Sequence, residues 1–139
     1  MTALIILISG LPCTGKTMLA QKVAQKFRLP LISRDDIKES LFDSLGWRDR
    51  EWSKQLGIAS YRLLYYFIES QVSAGNSSIA ESNFMPKFDN LKFLELKRKY
   101  KLYLLHIHCR ADREVLFQRF KMRSESGDKT SRSCGSPQL

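Results

Sequence analysis

The sequence has little of what marks a secreted or metal-clustered protein. Its three cysteines, Cys13, Cys109 and Cys134, are far apart and include no C-x-x-C pair. That spacing suggests neither a disulfide framework nor a zinc knuckle, and it fits a reducing, cytoplasmic compartment. There are two histidines. Acidic residues are in deficit, 14 against 23 lysines and arginines, for a formal charge of +9. A charge of that sign is compatible with a polyanionic partner, a nucleotide or a nucleic acid, and equally with a lysine-rich solvated surface. No apolar run is long enough to cross a bilayer, since the run from Ala3 to Ile8 is far too short. "MTALIILISGLPC" has no basic n-region, and Leu11 and Pro12 are not the small residues of a lipoprotein cleavage site. No internal repeat is visible.

What is present is an alternation of apolar runs and amphipathic stretches over a length suited to one domain, 139 residues. "ALIILIS" reads as a strand covered on both faces. Met18, Leu19, Val23, Ala24 and Phe27 then mark one face of a helix that stops before Pro30. "LPLIS" is a second strand. "RDDIKESLFDSLG" is a helix with Ile37, Leu41, Phe42 and Leu45 inward and Gly46 as its stop. From Glu51 to Val72, the residues Trp52, Leu56, Ala59, Leu63, Phe67 and Ile68 recur at helical spacing. "SSIAES" is a third strand, "FDNLKFLELKRKYK" a helix with a basic outer face, "LYLLHIHC" a fourth strand and "DREVLFQRFKMR" a last helix. The remainder is polar and rich in serine and glycine, without apolar periodicity. The order β-α-β-α-α-β-α-β-α predicts an α/β layered fold with a parallel sheet, whose ligands bind at the carboxyl ends of the strands. A domain over 1–123 and a tail over 124–139 follow.

At the end of the first strand stands "GLPCTGKT". Gly10, Gly15, Lys16 and Thr17 match G-x-x-x-x-G-K-[ST], and Leu11, Pro12, Cys13 and Thr14 complete the loop. The spacing has a chemical reason. The glycines let backbone N–H groups wrap a phosphate, and the following helix adds its positive end. Lys16 reaches the β- and γ-phosphates and the Thr17 hydroxyl can ligate Mg²⁺. The motif therefore reads as a site for a nucleoside triphosphate.

Carboxylates at the ends of later strands say what the phosphate is used for. Asp35, in "SRDDI", can accept the proton of an acceptor hydroxyl while the γ-phosphoryl group transfers, if the second strand lies near the first. Asp36 reads as part of a capping box with Ser33. Glu81, at the end of the third strand, can hold Mg²⁺ through water, and Asn83 follows it within reach of a substrate. Arg119 and Arg123 share a helix face, from which they can clamp a phosphoryl group or simply form a solvated basic surface. His106 and His108 lie on one face of the fourth strand. A metal pair is conceivable there, but without a third ligand two satisfied strand histidines are the expectation. Trp47 and Trp52 read as core or hinge residues.

Taken in order, "GLPCTGKT", "SRDDIKESLF", "ESNF" and "CRADREVLFQRFKMRSESG" resemble the small P-loop kinases of the zeta-toxin, chloramphenicol phosphotransferase and polynucleotide 5′-kinase type. The resemblance covers residues 1 to about 128. It implies a three-layer P-loop kinase-like fold and an ATP- and Mg²⁺-dependent phosphotransferase with a hydroxyl acceptor, either a small molecule or a nucleic-acid 5′ end. It makes Asp35 the general base, Arg34 a substrate-side arginine, and Arg119 and Arg123 the lid arginines. Relatives continue past "ESG" with a basic segment, a helix and a fifth strand, where this sequence has "DKTSRSCGSPQL". The expectation is a sheet without its last strand and with "LYLLHIHC" at its edge, open to self-association. The alternative is a truncated, inactive module that binds nucleotide or nucleic acid.

Overall fold

The computed structural model describes residues 2–11 and 14–110, together with the helical positions Glu114, Gln118, Lys121 and Met122. The elements are β1 (Ala3–Gly10), α1 (Lys16–Phe27), β2 (Leu31–Ser33), α2 (Arg34–Leu45), α3 (Arg50–Ser73), β3 (Ser78–Glu81), α4 (Pro86–Lys99) and β4 (Leu102–Cys109). The strands form one parallel sheet in the order β2-β3-β1-β4. From β1 to β4 the strand–helix alternation read from the sequence is the observed one, and the last helix, read at 112–123, lies largely outside the described residues. The tail call at 124–139, with Arg119, Arg123, Pro12 and Cys13, lies outside the described residues.

The pleat sends alternate residues of β1 to opposite faces. Ala3, Ile5 and Leu7 join Ala80 beneath α3 and α4, packing with Leu64, Ile68, Phe93 and Leu96. Ile6 and Ile8 join Ile79 beneath α1, packing with Ala20, Leu19 and Val23. Helices thus cover both faces, which is why β1 carries apolar side chains at consecutive positions. Among the described residues β4 pairs with β1 alone and lies at an edge.

Several faces differ from the periodicity reading. On α1, Met18 and Phe27 are exposed, and the inward stripe runs through Lys16, Leu19, Ala20 and Val23. On α3 the buried stripe is Leu56, Ser60, Leu64, Ile68 and Val72, a strict four-residue repeat, while Leu63 faces outward. A serine is part of that stripe because its hydroxyl is satisfied within the helix, donating to the Gly57 carbonyl at 2.6 Å. Leu45 is exposed at the end of α2. Trp47 is exposed rather than core, while the Trp52 ring N–H donates to the Gly46 carbonyl at 2.8 Å.

Candidate active site

β1 and β3 are neighbours, yet the helices that follow them lie on opposite faces: α1 packs on one side of the sheet and α4 on the other. A crevice opens at the carboxyl ends of two such strands. The loop from Gly10 to Gly15 stands at one end and Glu81 at the other.

The loop's glycines are required by geometry. Gly10 has φ +152°, and a Cβ there would meet the Cys109 carbonyl oxygen at 2.6 Å and the Thr14 hydroxyl at 2.8 Å. Gly15 has φ +87° and is the N-cap of α1 without a capping side chain. The first-turn amides of α1 therefore face no side-chain acceptor and are available to an anion. The Lys16 ammonium group, buried, folds over the loop and donates to the Gly10 carbonyl at 2.9 Å. Thr14 donates to the Leu11 carbonyl at 2.9 Å.

Across the crevice the Thr17 hydroxyl donates to Glu81 Oε1 at 2.7 Å. Glu81 is 1% exposed, and its second oxygen, Oε2, has no hydrogen-bond partner. Burial pushes its carboxyl above the usual carboxylate range. The Thr17 and Ser33 hydroxyls and the Lys16 charge oppose that shift, and the Asp35 charge adds to it. Ser33 is the N-cap of α2 but makes no side-chain cap bond. The capping box expected with Asp36 is not formed, and the Ser33 hydroxyl instead lies near enough to Glu81 to favour its charged form. Asp36 is held above its ordinary range by burial and by the Asp35 charge.

The reading of Asp35 required β2 to lie near β1, and one strand, β3, lies between them. Ser33 pairs in register with Glu81, which in turn pairs with Ile8. The three carboxyl ends are thus level, and Asp35 stands close enough to Glu81 for its charge to be felt. Beside it Arg34 stacks on the Tyr61 ring at 3.8 Å and reaches the Gly57 carbonyl at 3.4 Å, while its buried Nε has no partner. Asn83 is exposed, and its carbonyl accepts from the Tyr61 hydroxyl at 3.4 Å. Lysine, threonine, glutamate, aspartate and arginine from three elements, α1, β3 and α2, therefore meet at one end of the sheet. Sequence reasoning missed Ser33, whose cap-like spacing hid its part in the site, and Ser9. The Ser9 hydroxyl is buried and bonds His106 Nε2 at 2.6 Å and His108 Nδ1 at 3.0 Å.

Comparisons with known proteins agree with this geometry. A family model described as an AAA domain matches residues 5–133. A solved candidate kinase from Chloroflexus aurantiacus is 39% identical, with a TM-score of 0.87 over 91% of this chain and 69% of that one. The chain belongs to this family of P-loop kinase-like proteins. A sugar kinase from Janibacter sp. (19% identity, TM-score 0.57, 88% of this chain and 68% of that one) and a gluconokinase from Sinorhizobium meliloti (15%, 0.55, 94% and 69%) share the fold. No curated protein matches significantly. Membership in a P-loop kinase-like family carries nucleotide binding with it. Among the described residues no helix is long and apolar enough to cross a membrane.

Proposed function

We propose that the protein is an ATP-dependent phosphotransferase that moves the γ-phosphoryl group to a hydroxyl acceptor. The observation that carries this reading is the pairing of Thr17 with Glu81 at the mouth of a glycine-framed loop, with Asp35 near enough for its charge to act on Glu81. Backbone amides of residues 10–17 and the Lys16 ammonium group bind the phosphates and fix the γ-group at the head of β1. Arg34 and Asn83 hold the acceptor at the α2–α3 side. Asp35 takes the proton from the acceptor hydroxyl as it attacks phosphorus and the bond from the γ-phosphorus to the bridging oxygen breaks. In the assignment drawn from the resemblance, Arg119 and Arg123 close over the γ-phosphate.

The donor set suits Mg²⁺. Thr17 and Glu81 offer hard oxygens, and the orphaned Glu81 Oε2 is a buried acceptor without a donor. Thr17 spends its hydrogen on Glu81 and keeps its lone pairs for the cation. Bound there, Mg²⁺ supplies neutralisation of phosphate charge.

The test joins a melting curve to a transfer assay. ATP–Mg²⁺ at a hundredfold excess over Kd stabilises a native-state binder by about 2.7 kcal/mol, and Lys16→Ala loses most of that. Asp35→Asn keeps the nucleotide-dependent shift but lowers kcat by about 10² to 10⁴, the usual cost of removing a general base. Full stabilisation by ATP with no transfer to polyol, sugar or 5′-hydroxyl acceptors assigns the chain to the nucleotide-binding modules instead. An unchanged midpoint in ATP–Mg²⁺ defeats the nucleotide reading itself.

A further inference from the structure

The two histidines stand apart from the chemistry just described. They occupy alternate positions of β4, so both rings project from the same sheet face, the one toward α3 and α4. His106 pairs in register with Leu7 and His108 with Ser9. Two ring nitrogens, His106 Nε2 and His108 Nδ1, converge on one atom, the Ser9 hydroxyl oxygen, at 2.6 and 3.0 Å. The rings lie nearly perpendicular, with centroids 6.2 Å apart. Both are exposed, so both can turn without disturbing packing, whereas Ser9 is fixed and buried.

We propose that His106 and His108, with the Ser9 hydroxyl between them, form a binding site for a borderline divalent cation: zinc, nickel or copper(II). Two neutral imidazoles on alternate residues of one strand can chelate such an ion at about 2.0–2.1 Å per nitrogen. Imidazole selects these metals over the hard cation expected at Thr17 and Glu81. No cluster of three His, Cys, Asp or Glu exists among the described residues. The remaining positions therefore fall to the Ser9 oxygen and to water, which makes the site an exchangeable one rather than a structural centre. The formal charge of +9 also opposes a cation, so the affinity is modest. Bound metal would clamp β4 to β1 one residue before Gly10, whose carbonyl holds Lys16.

The experiment is titration of untagged protein with nickel chloride, followed by calorimetry and by the imidazole proton resonances. The chain has only two histidines, so both ring signals are assignable, and loss of nickel binding in the histidine variants distinguishes ligation by the rings from metal bound nearby. One nickel ion per chain should bind and broaden both rings. His106→Ala and His108→Ala should each weaken binding by roughly tenfold or more, the usual loss when a chelate becomes a single contact. Millimolar Mg²⁺ should not compete. Retention of the ATP–Mg²⁺ melting shift shows that each variant is folded. If an alanine variant loses that shift, His106→Gln and His108→Asn replace it and should show the same loss of nickel. Equal nickel affinity in wild type and both variants overturns the proposal, as do imidazole signals unmoved at saturating nickel.

Discussion

β1 and β4 are both eight residues long, both read as apolar runs, and they pair position by position from Ala3↔Leu102 to Gly10↔Cys109. Their burial is not alike. Seven of the eight residues of β1 are buried, and none of β4 is. β1 has β3 on its other side and helices over both faces. β4 has one strand neighbour among the described residues, and Tyr103 is 70% exposed. Hydropathy records what a side chain would gain from burial, while topology decides whether it is buried. The carboxyl ends differ in the same sense. β1 ends in a loop over which the buried Lys16 folds to bond the Gly10 carbonyl, and β4 ends in two exposed imidazoles that borrow their order from a serine of β1.

The largest test of that contrast uses one side chain in two places. Ile8 and Ile107 face each other in register, the first fully buried and the second half-buried. Ile8→Ala should cost about 2–5 kcal/mol, the range for a truncated core residue. Ile107→Ala should cost about 1 kcal/mol, nearer to a surface substitution. Denaturant unfolding of the two variants reads the difference directly. Equal costs would show that β4 is as well covered as β1, and that its edge position does not decide its energetics.

The next pair swaps apolar for polar. Ser9 and His108 are also in register, and the Ser9 hydroxyl holds both imidazoles. Ser9→Ala removes one buried group and two bonds, with an expected loss of about 1–3 kcal/mol. His108→Ala leaves Ser9 its bond to His106 and exposes nothing buried, so its loss should be smaller. The reverse order in the same unfolding assay would place the order of this cluster in β4 rather than β1.

How much of this was legible beforehand follows from the same contrast. The backbone shape at Gly10 and Gly15 and the burial of Lys16 were, because glycine is dictated there by conformation that no neighbour can replace. The strand order was not, since a short apolar strand carries no mark of its neighbours. The reading of Asp35 therefore stayed conditional on β2 lying near β1, and β3 in fact stands between them. The α3 stripe was misplaced by one residue at Leu63, because Leu63 and Leu64 are chemically identical and only packing chooses Leu64. Ser33 looked like a cap because caps and carboxylate donors use the same residue types, and only the approach of Glu81 separates them.

Glu81 sharpens the comparison on the functional side. Burial raises its carboxyl above the ordinary value, so the folded state prefers it protonated. Its contribution to stability is then present below the usual carboxylate range and is lost as pH rises through the raised value. Glu81→Gln should remove that dependence and make the ligand-free protein more stable at neutral pH, while weakening stabilisation by ATP–Mg²⁺. Melting curves from pH 4 to 8, with and without nucleotide, check both halves. A variant less stable at pH 7 without ligand would mean that its bonds to Thr17 and Ser33 outweigh the cost of burying the charge.

The smallest effect expected is at the exposed end of β4, and its sign is opposite. His106 is held below its ordinary range by burial first and by His108 second. The unfolded chain therefore takes up the proton first as pH falls. Stability is held above the ordinary imidazole range and declines as pH drops through it toward the lowered folded value. Ser9 gives this a structural cause. With both rings neutral, its hydroxyl donates to one imidazole and accepts from the other, so the buried group is satisfied in both roles. Once His106 is protonated both of its nitrogens are donors, and the serine proton can be accepted only if His108 presents a bare nitrogen. Glu69, Lys99 and Asp89, the charged groups of α3 and α4 whose partners are defined, are engaged with Tyr100, with each other, or with Tyr65 and Met85. His106→Gln should flatten the stability profile at and just below the unperturbed imidazole value of about 6.5. The change should be small because the ring is largely solvated. The same slope in wild type and variant would show that the imidazoles of β4 follow Ser9 without any energetic hold on it.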